Sequence, residues 1–493
     1  MLTAVSMAPP KPQLGRSMGA APRSFASTGD TRSDNSQPTA RTRRDGEPLP
    51  AGRAPQRNEH SERHGRDRSP RTRPHIRVVD ALIAAALALV FLAAAAQFSV
   101  GDVVDHVRVG TGAAGTTSVV GTTAVVGTTA AASTTSSTAT TRDSLVRLVP
   151  DDGLTAAKRT LVETDFITGS DLTPKSVVYV PGGLMFAQNM MYSHTITAYD
   201  RSFKRVATID DEVRLDRLGH PDRRGSFKGA PVEAAPTSDG RYVYVSNYEM
   251  YGPGFSNPGD DVCSPAAGYD NSFLYRVNVA TMAVDQAIEV GPVPKYVAVT
   301  PANDRVLVSN WCGYDLSVVD AATGRETNRI PLGPYPRGIA VDAGRNAAYV
   351  AVMGSYDIAV VDLTTLRVSW ITGVGSGPRH LVMDPAGRWL YATLNAAGEV
   401  AKIDPDSGQV VARAPTGNQA RSMAISDDGT ALYVVNYESD TIAKVDTASF
   451  EVTQTIAVGD QPIGIAYDPA TRNVWVALYG GALAVLTDTA PKR

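Results

Sequence analysis

The sequence predicts an all-β fold, a seven-bladed β-propeller of four-stranded antiparallel blades. Three observations lead there. Asp320, Asp362, Asp404 and Asp446 recur at a constant spacing of 42 residues. Within each unit lie four short runs rich in Val, Ile, Tyr and Ala, parted by Gly, Asn and Asp turn signals and never reaching helical length. The last unit lacks its fourth run, and a matching run stands in front of the first unit. A lone four-stranded sheet exposes both faces, so it must stack on copies of itself, and ring closure removes the free edges.

The regular units are 294–333, 336–375, 378–417 and 420–459. Weaker copies are 174–210 and a split unit, 231–247 continued at 273–291. Residues 462–489 supply three strands, and 160–176 repeats the spacing of 452–464 and so completes that last blade. The propeller is therefore placed at 160–489.

The chain has 493 residues, a formal net charge of −3 and two cysteines, too few for a disulfide-dense scaffold or a CxxC zinc site. Charge is unevenly spread. Met1–Arg77 carries 15 Lys and Arg against 7 Asp and Glu, so the remainder is acidic and no nucleic-acid partner is expected. Residues 1–77, rich in Arg, Pro, Ser and Gly, cannot bury enough apolar area to offset backbone entropy and read as a disordered basic tail.

Ala81–Gly101 is an uncharged run of 21 residues inside a span placed at 78–101. As a helix it measures about 31 Å, close to a hydrocarbon core of about 30 Å. Seven arginines lie between Arg57 and Arg77, so the positive-inside rule puts the N-terminus in the cytoplasm and the rest outside. A leader cleaved near Ala94-Ala95-Ala96, with a secreted body, is the alternative. Residues 102–145, with their Gly/Thr/Ala/Ser repeats, read as a flexible stalk.

YVSN (244–247), LVSN (307–310) and YVVN (433–436), each followed by a V-x-V-I-D-like strand and a G-x-x-P turn, resemble the YVTN-repeat β-propellers. These include surface-layer repeats and lactonase-like bacterial propellers. The resemblance covers about 165–489 and implies the fold, while its members include binding proteins as well as hydrolytic and lyase enzymes. Val352 and Leu478 replace the Asn in two units, so it cannot be a uniform ligand ring.

Aligning the repeats puts Lys175, Lys295, Arg337, Arg379 and Arg421 at one position, where the chain enters the innermost strand. Val232 and Ile463 stand there in blades 2 and 7. Five cations at one mouth would focus a positive potential on an anionic ligand, although the position could equally serve contacts between blades. His380, Asn310 and Trp311 join them as candidate ligand-binding residues. Cys263 and Cys312 fall in equivalent loops of adjacent blades and are expected to pair. Two insertions, 210–230 and 248–271, lie on this same face, the side adapted for recognition. His194, His220 and His380 also map to it. They are weak metal candidates, because no two share short ligand spacing.

The resulting expectation is a monomeric, membrane-anchored extracytoplasmic binding module at the cell envelope. It would take an anionic ligand, or an envelope protein or polymer, through its basic top face, with no cofactor. The alternative is a lactonase- or lyase-type enzyme on an anionic substrate with His380 as general base or metal ligand. A structural envelope protein is a further alternative.

Overall fold

The computed structural model describes residues 148–492. The expected tail, membrane helix and stalk fall outside the described residues. Among those described, no helix is long and apolar enough to cross a membrane.

Seven antiparallel sheets form the seven blades. Blades 1 to 6 occupy 176–210, 227–290, 294–331, 336–371, 378–415 and 420–457. Blade 7 takes three strands from 462–489 and its outer strand from Thr160–Thr168. That strand pairs with Ala482–Thr489 from Thr160↔Thr489 to Thr168↔Ala482, so the two ends of the propeller close the ring as the repeat count predicts.

The 42-residue spacing has a local cause. Each periodic aspartate ends its third strand or, for Asp404, directly follows it, and accepts backbone N–H bonds from the following turn: Asp320 from Thr323, Asp362 from Thr364 and Thr365, Asp404 from Asp406, Asp446 from Ala448. Asp200 and Asn278 do the same in blades 1 and 2. The Asx turn thus sets where each third strand stops and the outer strand begins.

Packing between blades uses one aromatic position on the second strand. Tyr244, Tyr349, Tyr391, Tyr433 and Trp475 are all buried there, each contributing roughly 2–3 kcal/mol of transfer from water. Around the channel the inner strands come closer still. A Cβ on Gly338 would lie 2.6 Å from the Arg379 carbonyl oxygen, and one on Gly464 would lie 2.7 Å from Cα of Ser176. These two positions admit no side chain without moving a neighbouring blade.

Blade 2 departs from the pattern. Its first two strands, Phe227–Pro236 and Tyr242–Tyr251, reach 10 residues each, and Glu212–Val213 adds a fifth strand beside them. The inner hairpin starts four residues before Pro231, the counterpart of Pro294 in blade 3, and so stands about 13 Å proud of the top face. From the sequence these residues read as loop. Phe227, Met250, Phe273 and Leu215 give the extension its own buried cluster, which is why it extends the sheet.

Candidate functional site

The site is assembled by a turn that repeats where the chain enters the inner strands. Val293, Tyr335, Gln419 and Gln461 adopt left-handed backbone with φ of 53°, 62°, 54° and 56°. Their carbonyls accept the N–H of Trp311, Met353, Tyr437 and Tyr479, each the first residue past a second strand. The turn therefore holds two rings of side chains together: the residues two positions after it, which are the cations Lys295, Arg337 and Arg421 in three of these blades, and the residues that follow the second strands.

All five predicted cations converge on this mouth, and their charges act on one another. Lys175 feels Arg337, Arg379, Lys295 and Arg421. Three are almost entirely buried, with Lys295 6%, Arg337 5% and Arg379 4% exposed. Lys295 lies 4.1 Å from the Tyr248 ring centroid and 5.2 Å from that of Trp311, and its Nζ donates to Asp261 at 2.7 Å. The Arg421 guanidinium lies 3.6 Å from the Tyr437 ring, and Lys175 Nζ lies 5.4 Å from that of Tyr479. Aromatic faces thus shield the cations from water while stabilising their charge.

Opposing carboxylates are fewer. Glu233 meets Arg337 at 3.4 Å, Asp261 holds Lys295, and Glu438 acts on Arg421. Arg379 donates to Ser422 at 3.4 Å, and Nε of Arg421 has no partner among the described residues. Burial, then the positive charge of Arg337, brings Lys295 down to about 8 despite Asp261. Burial pushes Glu233 above the usual carboxylate range even with Arg337 beside it.

Immediately below the cations lies a second ring, one residue further along each inner strand: Ser176, Glu233, Tyr296, Gly338, His380, Ser422 and Gly464. Tyr296 and His380 meet across Gly338, hydroxyl to Nε2, at 2.6 Å. Nδ1 of His380 accepts the N–H of Met423 at 2.8 Å. The neutral ring must therefore carry its hydrogen on Nε2 and donate it to Tyr296. Burial first, then Arg379 and Arg337, push His380 down to about 3. In this arrangement both ring nitrogens of His380 are engaged, Nε2 with Tyr296 and Nδ1 with the Met423 amide.

Asn310 is wholly buried and donates to Asp315 and Ser317 within its own blade. Trp311 does border the mouth, its Nε1 donating to the Asp261 carbonyl at 2.9 Å. His194 and His220 are tied to the carbonyls of Gly229 and Ala287, in separate places. Among the described residues no group of three or more His, Cys, Asp or Glu could hold a metal.

Cys263 and Cys312 form the expected disulfide, with Cα atoms 5.4 Å apart. Both are buried with Val293, beside Tyr248, Tyr269, Trp311 and Tyr335. The bridge secures the loop that carries Asp261 over Lys295. A separate groove of about 380 Å³ beside the first insertion, lined by Asp210, Arg214, Arg217 and Val284 among others, contains none of the five cations.

From the sequence Glu233 reads only as a possible acid/base partner of the top-face histidines, and Tyr296 carries no expectation; their place in the second ring comes from the fold. The signal was present, since both share a repeat position with His380. Three different residue types at one position look like noise until the channel brings them together.

Comparisons with known proteins agree with this architecture. A family model described as "Lactonase, 7-bladed beta-propeller" matches residues 352–478, within blades 4 to 7 and well short of half the chain. No curated protein matches the chain. Among solved structures, Kuenenia stuttgartiensis hydrazine synthase is similar at 17% identity over 66% of this chain and 98% of that chain, with a TM-score of 0.51. That likeness shows the fold alone. The class so defined is a seven-bladed propeller with lactonase-type similarity in its C-terminal blades.

Proposed function

We propose that this protein is a ligand-binding propeller held on the outer side of a membrane, whose top mouth takes a small anionic group. One observation carries the reading: five cations from five blades meet where fewer carboxylates oppose them. Because Lys295, Arg337 and Arg379 are almost entirely buried, Lys295 beneath the Tyr248 and Trp311 rings, the geometry favours a small group entering the mouth over a polymer lying across it. Low-dielectric walls strengthen such attraction.

Calorimetric titration of the full-length protein with sulfate, acetate and glucuronate tests this. Arg421→Gln, at a half-buried cation, should weaken binding about 10-fold, the loss of roughly 1.4 kcal/mol. Asp261→Asn should tighten it, and rising salt should weaken both. Binding indifferent to both substitutions, or no binding at all, rejects the mouth as an anion site. The anchor at 81–101 is tested separately, since protease added outside intact cells should release the propeller.

A second reading, a hydrolase or lyase acting on an anionic substrate, draws on the lactonase-type family match. The protonatable Glu233 beside Arg337 also favours it. Under this reading Glu233→Gln abolishes turnover and leaves anion binding in place.

A further inference from the structure

Lys175 differs from the other members of its ring. Lys295 has Asp261, Arg337 has Glu233, Arg379 has Ser422 and Arg421 has Gln419. The Lys175 ammonium has no hydrogen-bond acceptor or carboxylate partner among the described residues; the Tyr479 ring, 5.4 Å away, is its one close contact. Four cations repel it: Arg337, Arg379, Lys295 and Arg421. Glu233 and Asp261 lie within electrostatic reach, but neither pairs with it. The residue keeps partial exposure, and its Nζ is not among the fully buried, unpartnered polar atoms.

An amine in that setting gains little from carrying a proton. Burial and like charge both favour the neutral form, and a lysine is the cation that can yield, since its arginine neighbours cannot. Consistent with this, burial first and then the surrounding cations hold Lys175 well below the usual lysine range. A neutral amine beside fixed positive charges is a nucleophile placed where an anionic electrophile is drawn in.

We propose that Lys175 is a reactive amine that condenses with a small oxo acid, its carbonyl carbon meeting Nζ while its carboxylate is held by the arginines. The part concerning the carboxylate rests on the anion-binding reading; the reactivity of the amine does not. The Nζ lone pair forms the C–N bond as the C=O π bond opens, and one N–H proton passes to the oxygen to give a carbinolamine. The second N–H proton passes to the same oxygen, which departs as water as the C–O bond breaks and leaves a C=N bond. No oxidant or reductant is consumed. The Glu233 carboxyl, pushed above the usual carboxylate range by burial in the same mouth, is the group placed to exchange the proton.

Reductive trapping tests this on the full-length protein. Glyoxylate with cyanoborohydride at pH 7.4, followed by peptide mass spectrometry, should label Lys175 at least 10-fold faster than exposed Lys158 and Lys204 (about one pH unit of lowered amine basicity is worth that factor). Labelling no faster than at Lys158 and Lys204 overturns the proposal. Propionaldehyde, a neutral aldehyde, separates the two readings. Equal selectivity for Lys175 with both aldehydes keeps the reactive amine and rejects the anion site. Measurable sulfate binding without preferential labelling keeps the anion site and rejects the amine. Arg421→Gln supplies a readout that mere structure would not move: the pH midpoint of Lys175 labelling should shift upward, and an unchanged midpoint would mean that like charge does not set its reactivity.

Discussion

The Tyr296 hydroxyl lies 2.6 Å from Nε2 of His380, joining the inner strands of blades 3 and 5 past the glycine of blade 4. Gly338 makes the bridge possible, because a Cβ there would strike the backbone of Arg379 and His380. One contact thus depends on three equivalent positions of the repeat carrying three different residues.

A pH dependence follows from that bond. His380 is pushed from 6.5 to about 3, so between those values the unfolded chain binds an extra proton and stability falls as pH falls. For one group the slope reaches at most about 1.4 kcal/mol per pH unit. His380→Gln lacks this loss, and the stability advantage of the wild type over it should shrink between pH 7 and pH 4.5. Urea unfolding of both proteins across that range measures it; a constant difference would mean that His380 is not held neutral.

Asp211 gives the opposite sign. Its carboxylate is completely buried in the first insertion, neither oxygen has a partner among the described residues, and burial pushes it up to about 8. Unfolded, it titrates near 3.9. Over that window the folded state holds the extra proton, so stability falls as pH rises. Asp211→Asn should therefore stabilise the protein at pH 8 by at least about 1 kcal/mol and change little at pH 4. Thermal melts at the two pH values decide the matter.

Ring closure rests partly on a buried ion pair. Lys444 Nζ bonds Asp488 and the Arg159 carbonyl, while the Tyr433 hydroxyl donates to the second Asp488 oxygen at 2.9 Å. Lys444→Met strands the carboxylate and should cost about 3–5 kcal/mol in denaturant unfolding. Adding Asp488→Asn should restore at least about 1 kcal/mol of that loss, as expected for two groups that act as a pair.

The Cys263–Cys312 bridge closes a loop of 49 residues. Chain entropy assigns it about 4 kcal/mol. Replacing both cysteines with alanine should lower stability by up to that amount and make 248–271 the first segment cut in limited proteolysis. Early cleavage elsewhere would show that the bridge does not secure the loop.

Much of this arrangement was legible beforehand, and for a specific reason. Asp320, Asp362, Asp404 and Asp446 sit in Asx turns that each blade needs, so local chemistry wrote the period directly into the chain. Lys295, Arg337, Arg379 and Arg421 were found because a repeated turn carries each of them to the same rim. The pairing of Cys263 with Cys312 followed from equivalent loops on adjacent blades. Asp261, Tyr296 and Glu233 took their places in the site less legibly, since each acquires its role through partners in other blades or on an insertion that obeys no period. His380 stands out in the sequence by its residue type, but its bonds to Tyr296 and the Met423 amide arise only when blades 3, 5 and 6 meet.

From the sequence alone come the blade, the number of blades, the closing strand and the rim on which the cations gather, because each depends on contacts within one repeat or on counting repeats. Whether those cations face water or lie beneath aromatic rings, which are neutralised and which, like Lys175, are left unpaired, was settled only in three dimensions. The physical reason is range: hydrogen bonding in a turn acts over a few residues, whereas burial and charge act through space among side chains that the chain order keeps far apart.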